Sequence, residues 1–350
     1  MPSSPRITCV VPTYRRPRML ARAIRSVLNQ SVEDLRVLVS DNASGDGTAE
    51  VVRSLCESDF RVSYRCQPAN VGMHANFRDA MSRVDTPFYS LLSDDDVLLP
   101  DFYRTALDAF ETYPGAVLVA LEVPCVTQDG RVHDEPLSAW DRSGLFAPPE
   151  GAHRVAGISH PTVTGILFRS EFLGTSCALM KPEIHAADYE IILEAALNHP
   201  IVTVKRPGAL FVWHRGPRAL PPDPFHPVDY FLGHIHRAEE DERFPEEVRA
   251  NVRKRWSRFL SGYLGDLAIR LSLLGNRADA QKALSLLARE IGRPGRARAL
   301  GAFRRFSRCL PAPPRRLLLA GYDALTRWVY WGSFHAPRVN RGYREALRLD

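Results

Sequence analysis

A chain of 350 residues with 45% hydrophobic and 25% charged side chains has room for one large domain with an annex, or for two domains, and its composition is that of a globular protein. No run reaches about eighteen uncharged apolar residues, so no membrane-spanning helix is expected, and "MPSSPRITCVVP" lacks the apolar centre of a signal peptide. The net charge of +6 is unevenly spread: residues 293–350 hold thirteen Arg and no Lys against Asp323, Glu345 and Asp350, a balance of +10, which leaves −4 for the remainder and suggests a charged partner for the tail alone.

The first hundred residues alternate strand and helix. "ITCVVP" (7–12) is a short β-rich run, and 17–30 follows as a helix with Leu20, Ala23, Ile24, Val27 and Leu28 at helical spacing and Pro17 in its first turn. Strands at 35–41, 60–66 and 87–93 alternate with helices at 48–57 and 74–83. That order implies right-handed βαβ units, hence an α/β fold with a mostly parallel sheet flanked by helices.

The pattern then loosens. Residues 115–127 and 162–170 read as strands, and the Gly/Pro-containing stretch 129–161 between them is long enough for a binding loop. A helix is expected over 183–199, with Glu194 facing solvent, and a strand or hairpin over 201–216. Five prolines between Pro217 and Pro227 mark a domain boundary, giving a catalytic domain over 1–218 and a helical region over 219–350. Within the latter, Val248, Val252, Trp256, Phe259, Tyr263, Leu267, Leu271 and Leu274 form one apolar stripe. Gly275 suits its stop and Asn276 the cap of a second helix, making a helical hairpin with a packing role.

Ligands of open α/β sheets sit at the carboxyl ends of the strands, and three polar groups fall there. After the first strand come Pro12, Thr13, Tyr14, Arg15 and Arg16, offering an aromatic plane for a base and guanidinium groups for phosphate. Asp41 ends the second strand and can accept a hydrogen bond from a base N–H. Asp94, Asp95 and Asp96 follow the fourth; one acid would suffice to cap the next helix, whereas three suit a hard divalent cation. Together these groups describe a nucleoside diphosphate held through a metal. No G-x-G-x-x-G follows the first strand, which counts against a dinucleotide dehydrogenase, and the absence of Gly from "PTYRRPRM" counts against a sugar nucleotidyltransferase. Six scattered cysteines without a C-x-x-C pair point to free thiols in a reducing cytoplasm rather than a zinc site or a disulfide framework.

"VVPTYRRPRMLARAIRSVLNQ", "VSDNASGDGT", "NVGMHANFRDAM" and "LLSDDDVLLPD" resemble, in order and spacing, the nucleotide-binding half of family-2 glycosyltransferases, which have the GT-A fold. The resemblance covers about the first third of the chain. It implies an inverting transferase that uses Mg2+ or Mn2+ and a nucleoside-diphosphate sugar, with UDP or TDP favoured, and an acceptor hydroxyl. It assigns Pro12, Thr13, Tyr14, Arg16, Asp41, Asn70, Gly72, Asp94 and Arg215 to the donor. Asp95, Asp96 and His214 become metal ligands, with Asp95 the direct one, and the division of roles within the triplet stays open. The triplet departs from the family's common Asp-Ser-Asp-Asp, since Ser93 precedes three acids. Asp188 matches the family's catalytic base, with Glu190 and Glu194 as substitutes, although an acid in a first helical turn also suits the helix dipole. Gly72 is expected to let backbone approach the donor closely.

The Arg-rich tail, interleaved with Leu, Phe, Trp and Tyr, suits packing on its own body or a second copy of the chain, or else a peripheral contact with the cytoplasmic face of a membrane; no nucleic-acid motif is present. A non-catalytic nucleotide-binding scaffold is the other reading, and it would predict decay of the acidic positions 41, 95 and 188, all of which are Asp.

Overall fold

The computed structural model describes residues 4–181, 187–213, 224–308, 310–311, 313–322 and 340–348. The chain divides into two compact units, Met1–Gly216 together with Pro337–Asp350, and Pro217–Ala336.

The first unit is built on an eight-stranded sheet. Its centre is β1 (Ile7–Thr13), an apolar strand buried at every position, as a strand covered on both faces must be. Helix α1 (Pro17–Leu28) follows with Pro in its first turn and buries Leu20, Ala23, Ile24 and Val27. Next come β2 (Leu35–Asp41), α2 (Thr48–Ser58), β3 (Val62–Cys66), α3 (Met73–Met81) and β4 (Phe88–Leu91). A two-residue β5 (Val97–Leu98) and α4 (Phe102–Thr112) precede β6 (Leu118–Glu122), β7 (Cys125–Thr127), β8 (Val132–Asp134), β9 (Gly144–Phe146) and α5 (Glu150–Gly157). The unit continues with β10 (Ile166–Arg169), α6 (Leu173–Leu179), α7 (Ala187–Asn198), β11 (Ile201–Pro207) and β12 (Ala209–Trp213).

Strand order in the large sheet is β3-β2-β1-β4-β10-β6-β11-β9. The four strands from β3 to β4 run parallel, but β10 lies antiparallel between β4 and β6, and β9 antiparallel to β11. The large sheet therefore keeps the mostly parallel pairing that the residue pattern suggested, with β9 and β10 as antiparallel members. A short apolar run such as "ILFR" buries equally well in either direction, so pattern alone cannot set its sense.

A second sheet, β5-β12-β7-β8, grows from the first. Strands β6 and β11 leave the large sheet side by side and re-pair as β7 and β12, again parallel. The strand expected over 115–127 thus breaks at Pro124, which has no N–H to continue a ladder. The strand or hairpin expected over 201–216 is a crossing between sheets, and Gly208 makes the step. A Cβ there would lie 2.6 Å from Leu121 and 2.9 Å from Phe102.

Two further expectations are corrected. The stretch 129–161 is not an open loop: it holds β8, β9 and α5 and is pinned by buried Leu137, Trp140, Phe146 and Val155. Those four anchors are spaced irregularly through polar text, so no period betrays them. The chain's end also belongs with this unit rather than with the helical region. Asn340 caps a short helix, Arg341–Ala346, and Leu347 joins Val97, Val126, Leu210 and Val212 in the core of the small sheet.

The second unit contains α8 (His226–Glu240), α9 (Glu246–Leu274), α10 (Arg277–Arg289) and α11 (Pro294–Arg308). Helix α9 stops at Gly275 in the left-handed region (φ 84°), and the Asn276 side chain accepts from the Asp279 N–H to start α10. The stripe on α9 is core at Val248, Val252, Trp256, Leu267 and Leu271, whereas Phe259 and Leu274 are exposed. Over 29 residues, fixed steps of three and four drift around a straight helix. No described helix is long and apolar enough to cross a membrane. Among the described residues Cys9, Cys56, Cys66, Cys125 and Cys177 are free thiols.

Candidate active site

The site starts from register. Parallel pairing sets Thr13 beside Asp41 at the ends of β1 and β2, and β4 flanks β1 on its other side. The Leu92 N–H bonds to the Val10 carbonyl, so the next residues, Ser93 to Asp96, emerge beside Pro12 and Thr13. They bridge β4 of the large sheet to β5 of the small one. The acidic triplet therefore lies on the seam between the sheets.

The three carboxylates have different surroundings. Asp94 is buried; its Oδ2 accepts from Thr13 Oγ1 (2.7 Å) and its Oδ1 from Arg16 Nη1 (3.1 Å). Asp95 is more open, with Oδ2 accepting from the same Arg16 Nη1 at 2.7 Å, and Arg22 Nη2 donates to its carbonyl at 2.6 Å. One guanidinium thus bridges the pair. Asp96, expected as a metal ligand, is turned into the protein: Thr164 Oγ1 donates to Oδ2 (2.6 Å) and the Val212 N–H to Oδ1 (3.0 Å). Burial pushes its carboxyl up to about 7, and burial raises that of Asp94 too, opposed by Thr13 and Arg16. Asp96 ties the triplet to β12 and to the 163–165 turn. None of the three caps α4, whose N-cap position is Asp101.

Beside Asp94 and Asp95 opens a cleft of about 530 Å³, walled by Pro12, Thr13, Tyr14, Arg16, Asn70 and Ser93 together with Asn42, Met73, Asn76, Phe77 and Phe211. Tyr14 is part-exposed, with the Arg15 guanidinium 5.0 Å from its ring centre. Arg15 holds the left-handed region (φ 58°), an uncommon place for a long side chain. Its N–H donates to Ser44 Oγ (2.8 Å) and its Nε to the Ser44 carbonyl (3.1 Å), which fixes the turn.

Asp41 is buried behind this wall, not on it. Its Oδ1 accepts from the Ser44 N–H (3.0 Å) and Oγ (2.5 Å), and its Oδ2 from Tyr64 Oη (2.7 Å). It braces the turn that carries Arg15 and Asn42. Asn70 Oδ1 accepts from Asn42 Nδ2 and from the Gly72 N–H, both at 2.9 Å. Gly72 adopts φ 84°, ψ 160°, a region essentially restricted to glycine, yet a Cβ there would meet nothing within 4 Å. Backbone conformation by itself calls for glycine at position 72, and the space that a Cβ would fill is open.

Residue types alone did not reveal Asn42, Asn76, Phe77 or Phe211. Asn76 had a readable signal, being a polar residue on the buried side of α3, where it accepts from Ser40 Oγ (2.7 Å) and donates to the Ser40 carbonyl (2.9 Å). Phe211 had none, since it reaches the cleft only because β12 changes sheet.

Asp188 lies in the first turn of α7, half-buried. This helix packs against the 163–165 turn, whose Thr164 holds Asp96, so the helix and the triplet share a support. Glu194, expected to face solvent, is buried and accepts from Asn198 Nδ2 (2.9 Å), and Glu190 is buried as well. His214 and Arg215 lie outside the described residues. Among the described residues no three His, Cys, Asp or Glu side chains converge as a metal cage. Asp94 and Asp95 nonetheless offer hard oxygens side by side at the cleft, a set compatible with an ion such as Mg2+, which binds through one or two carboxylates plus substrate phosphates.

Comparison with known proteins defines the class. Residues 8–173 match the family model described as "Glycosyl transferase family 2". A Campylobacter jejuni protein named GalNAc(5)-diNAcBac-PP-undecaprenol beta-1,3-glucosyltransferase is 36% identical over 104 residues, covering 29% of this chain and 34% of that protein. The abequosyltransferase RfbV of Salmonella typhimurium is 31% identical over 110 residues, 31% of this chain and 32% of that one. The matched part therefore spans about a third of these relatives. Among solved structures, S. aureus TarS 1–349 in complex with UDP-GlcNAc superposes with a TM-score of 0.59 at 16% identity, over 91% of this chain and 92% of that one. The mannosyltransferase PcManGT from Pyrobaculum calidifontis, in complex with GDP-Man and Mn2+, gives 0.50 at 16% identity over 99% and 86%. At such identity the likeness speaks for the fold, which is GT-A-like. Residues 8–173, a little under half of the chain, are thus similar to glycosyltransferase family 2.

Proposed function

We propose that this protein moves a sugar from a nucleoside-diphosphate sugar to an acceptor hydroxyl, with inversion at the anomeric carbon and with Mg2+ or Mn2+ held at Asp95 and Asp94. The observation that carries the reading is the Asp94–Asp95 pair at the edge of the strand-end cleft, joined by one half-exposed cation, Arg16. A divalent ion bound there would act as a Lewis acid on the departing diphosphate, an effect of about several kcal/mol. Asp95 is its direct ligand in this reading, Asp94 supports it, and His214 completes the set. Asp96 is withdrawn from that set because both its oxygens serve the protein.

The chain's own groups divide the remaining work. Tyr14 supplies a plane for the base, with Asn42 and Asn70 as polar contacts on the same wall. Thr13 orients Asp94. Arg16 releases the acid pair and turns to the diphosphate as the donor arrives, and Arg215 is assigned to balance the same charge. Asp188 takes the proton of the acceptor hydroxyl as that oxygen attacks from the face opposite the leaving group; a positioned base of this kind contributes about 10²–10⁴-fold. UDP and TDP sugars are the favoured donors, and the UDP-GlcNAc complex of the TarS structure supports the first. The helical region is proposed to serve acceptor access, self-association or a membrane surface.

Calorimetry of the full chain with UDP, TDP and GDP, with Mn2+ or with EDTA, tests the reading. Metal-dependent binding of at least one nucleotide is expected, lost in Asp95→Ala, together with slow release of nucleoside diphosphate from the matching sugar donor. Binding equal in EDTA and untouched by Asp95→Ala would overturn the metal assignment. Absence of diphosphate release from every donor would overturn catalysis.

A further inference from the structure

The helical unit holds a cleft that the transferase reading does not use. It is about 530 Å³ in volume and opens between α9 and the start of α11, lined by Arg258 and Ser261 on one side and by Gly292, Arg293, Pro294, Gly295 and Arg296 on the other. We propose that this cleft binds a phosphate or diphosphate ester through Arg258, Arg293 and Arg296.

The first argument is charge without a partner. None of these three guanidinium groups forms an ion pair with a described carboxylate. The nearby acid on α9, Asp266, is already taken by Arg270 (2.8 Å) and by Tyr322 Oη (2.9 Å). Residues 291–322 contain eight Arg and no acid, so the sequence supplies no local neutralisation. Three arginines line one cleft, and an anion bound there would be attracted by all three positive charges. Arg matches phosphate oxygens with two parallel N–H donors, which Lys does not.

The second argument is how the cleft is constructed. Arg296 Nη1 donates to Ser261 Oγ (3.2 Å), and the guanidinium lies over Gly265, where a Cβ would come within 2.8 Å of Nη2. Glycine at that point of α9 lets the arginine lie flat against the helix. Gly292 (φ 66°) turns the chain out of α10, the Arg293 N–H closes back on the Leu287 carbonyl, and Pro294 opens α11. The first α11 bond runs from the Ala297 N–H to the Arg293 carbonyl. The amides of Gly295 and Arg296 therefore precede the intrahelical ladder and lie at the positive end of the helix dipole, on the cleft wall. Arginines, first-turn amides and cavity occur together.

The phosphoryl group could belong to an anionic lipid headgroup or to a small phosphate, and the test separates the two. Pyrophosphate binding is measured by calorimetry on the full chain, in EDTA and in an Asp95→Ala background, so that metal-dependent binding at the donor cleft does not contribute. Sedimentation with vesicles of phosphatidylcholine alone, or mixed with phosphatidylglycerol, forms the second arm. The variant R258Q/R293Q/R296Q is compared with R289Q/R298Q/R316Q, which removes the same charge outside the cleft; circular dichroism verifies that both fold. Loss of about tenfold or more in pyrophosphate affinity in the first variant only supports a small-phosphate site. The same selective loss in the mixed vesicles, without pyrophosphate binding, supports a headgroup site. Equal losses in the two variants, or no binding in either arm, would overturn the proposal. If the first variant does not fold, R293Q alone carries the test against R298Q.

Discussion

Arginine does two different jobs in the two units. In the sheet unit the guanidiniums are matched to acids: Arg16 to Asp94 and Asp95, Arg61 to Asp59 at 2.7 Å, Arg65 to Asp79 at 3.1 Å, and Arg36 to Asp85. In the helical unit Arg258, Arg293 and Arg296 gather around a cleft with no described acid to answer them. The residue type is the same and the difference is the neighbourhood. An arginine that already has its acid is held by it, as Arg16 is beside the strand-end cleft. An arginine without one advertises for an anion that the chain does not carry.

The largest effect should come from the chemistry of the sheet unit. Asp188→Asn is expected to cut turnover about 10²–10⁴-fold with donor affinity retained, measured as kcat beside calorimetric affinity; full turnover in that variant would remove Asp188 as the base. Gly208→Ala should destabilise the same unit by about 1–3 kcal/mol, because the new methyl group collides with Leu121 and Phe102 at the step between sheets. Denaturant melts followed by tryptophan fluorescence would show it, and an unchanged midpoint would mean that the sheets can part there.

Smaller changes sharpen the contrast between matched and unmatched arginines. Arg16→Gln frees the acid pair from its internal cation, so Mn2+ alone should bind about three- to tenfold more tightly, a gain near 1 kcal/mol, while donor affinity falls. Manganese paramagnetic resonance reads the first part directly. An unchanged metal affinity would mean that Arg16 and the ion do not compete.

The smallest effect expected is at Glu122, buried beside the departure of β6 from the large sheet. Burial raises its carboxyl above the ordinary 4.5, opposed by the N–H groups of Leu137 and Val123. The folded state therefore holds the proton more tightly than the unfolded chain. Its stabilising contribution is complete below pH 4.5 and is lost as pH rises through the raised value. Glu122→Gln keeps an acceptor for both N–H groups without the charge. It should match the natural protein near pH 4 and melt slightly higher at pH 8; a gap that widens towards acid would contradict this.

Much of the donor side could be read from residues because its signals are local. The apolar run of β1 followed by "PTYRRP", the period of α1, and an acidic triplet closing an apolar strand each lie within one element and the turn after it. The Gly275–Asn276 junction of α9 and α10 was legible for the same reason. The stretch 129–161 misled because buried anchors such as Trp140 and Phe146 follow no period, and Glu194 misled because α7 is buried on more than one face.

Local chemistry along the chain was enough to specify an α/β fold, strand ends that carry an aromatic ring and a row of three acids, and a tail with a strong excess of positive charge. Only folding in three dimensions decided which acid faces the cleft. Asp96 is claimed by Thr164 and Val212, 68 and 116 positions away, while Arg16 reaches Asp94 and Asp95 across 78 and 79. Burial and hydrogen bonding at such separations depend on which sheet each strand joins, and a carboxylate's role follows from those partners rather than from its place in a row of three.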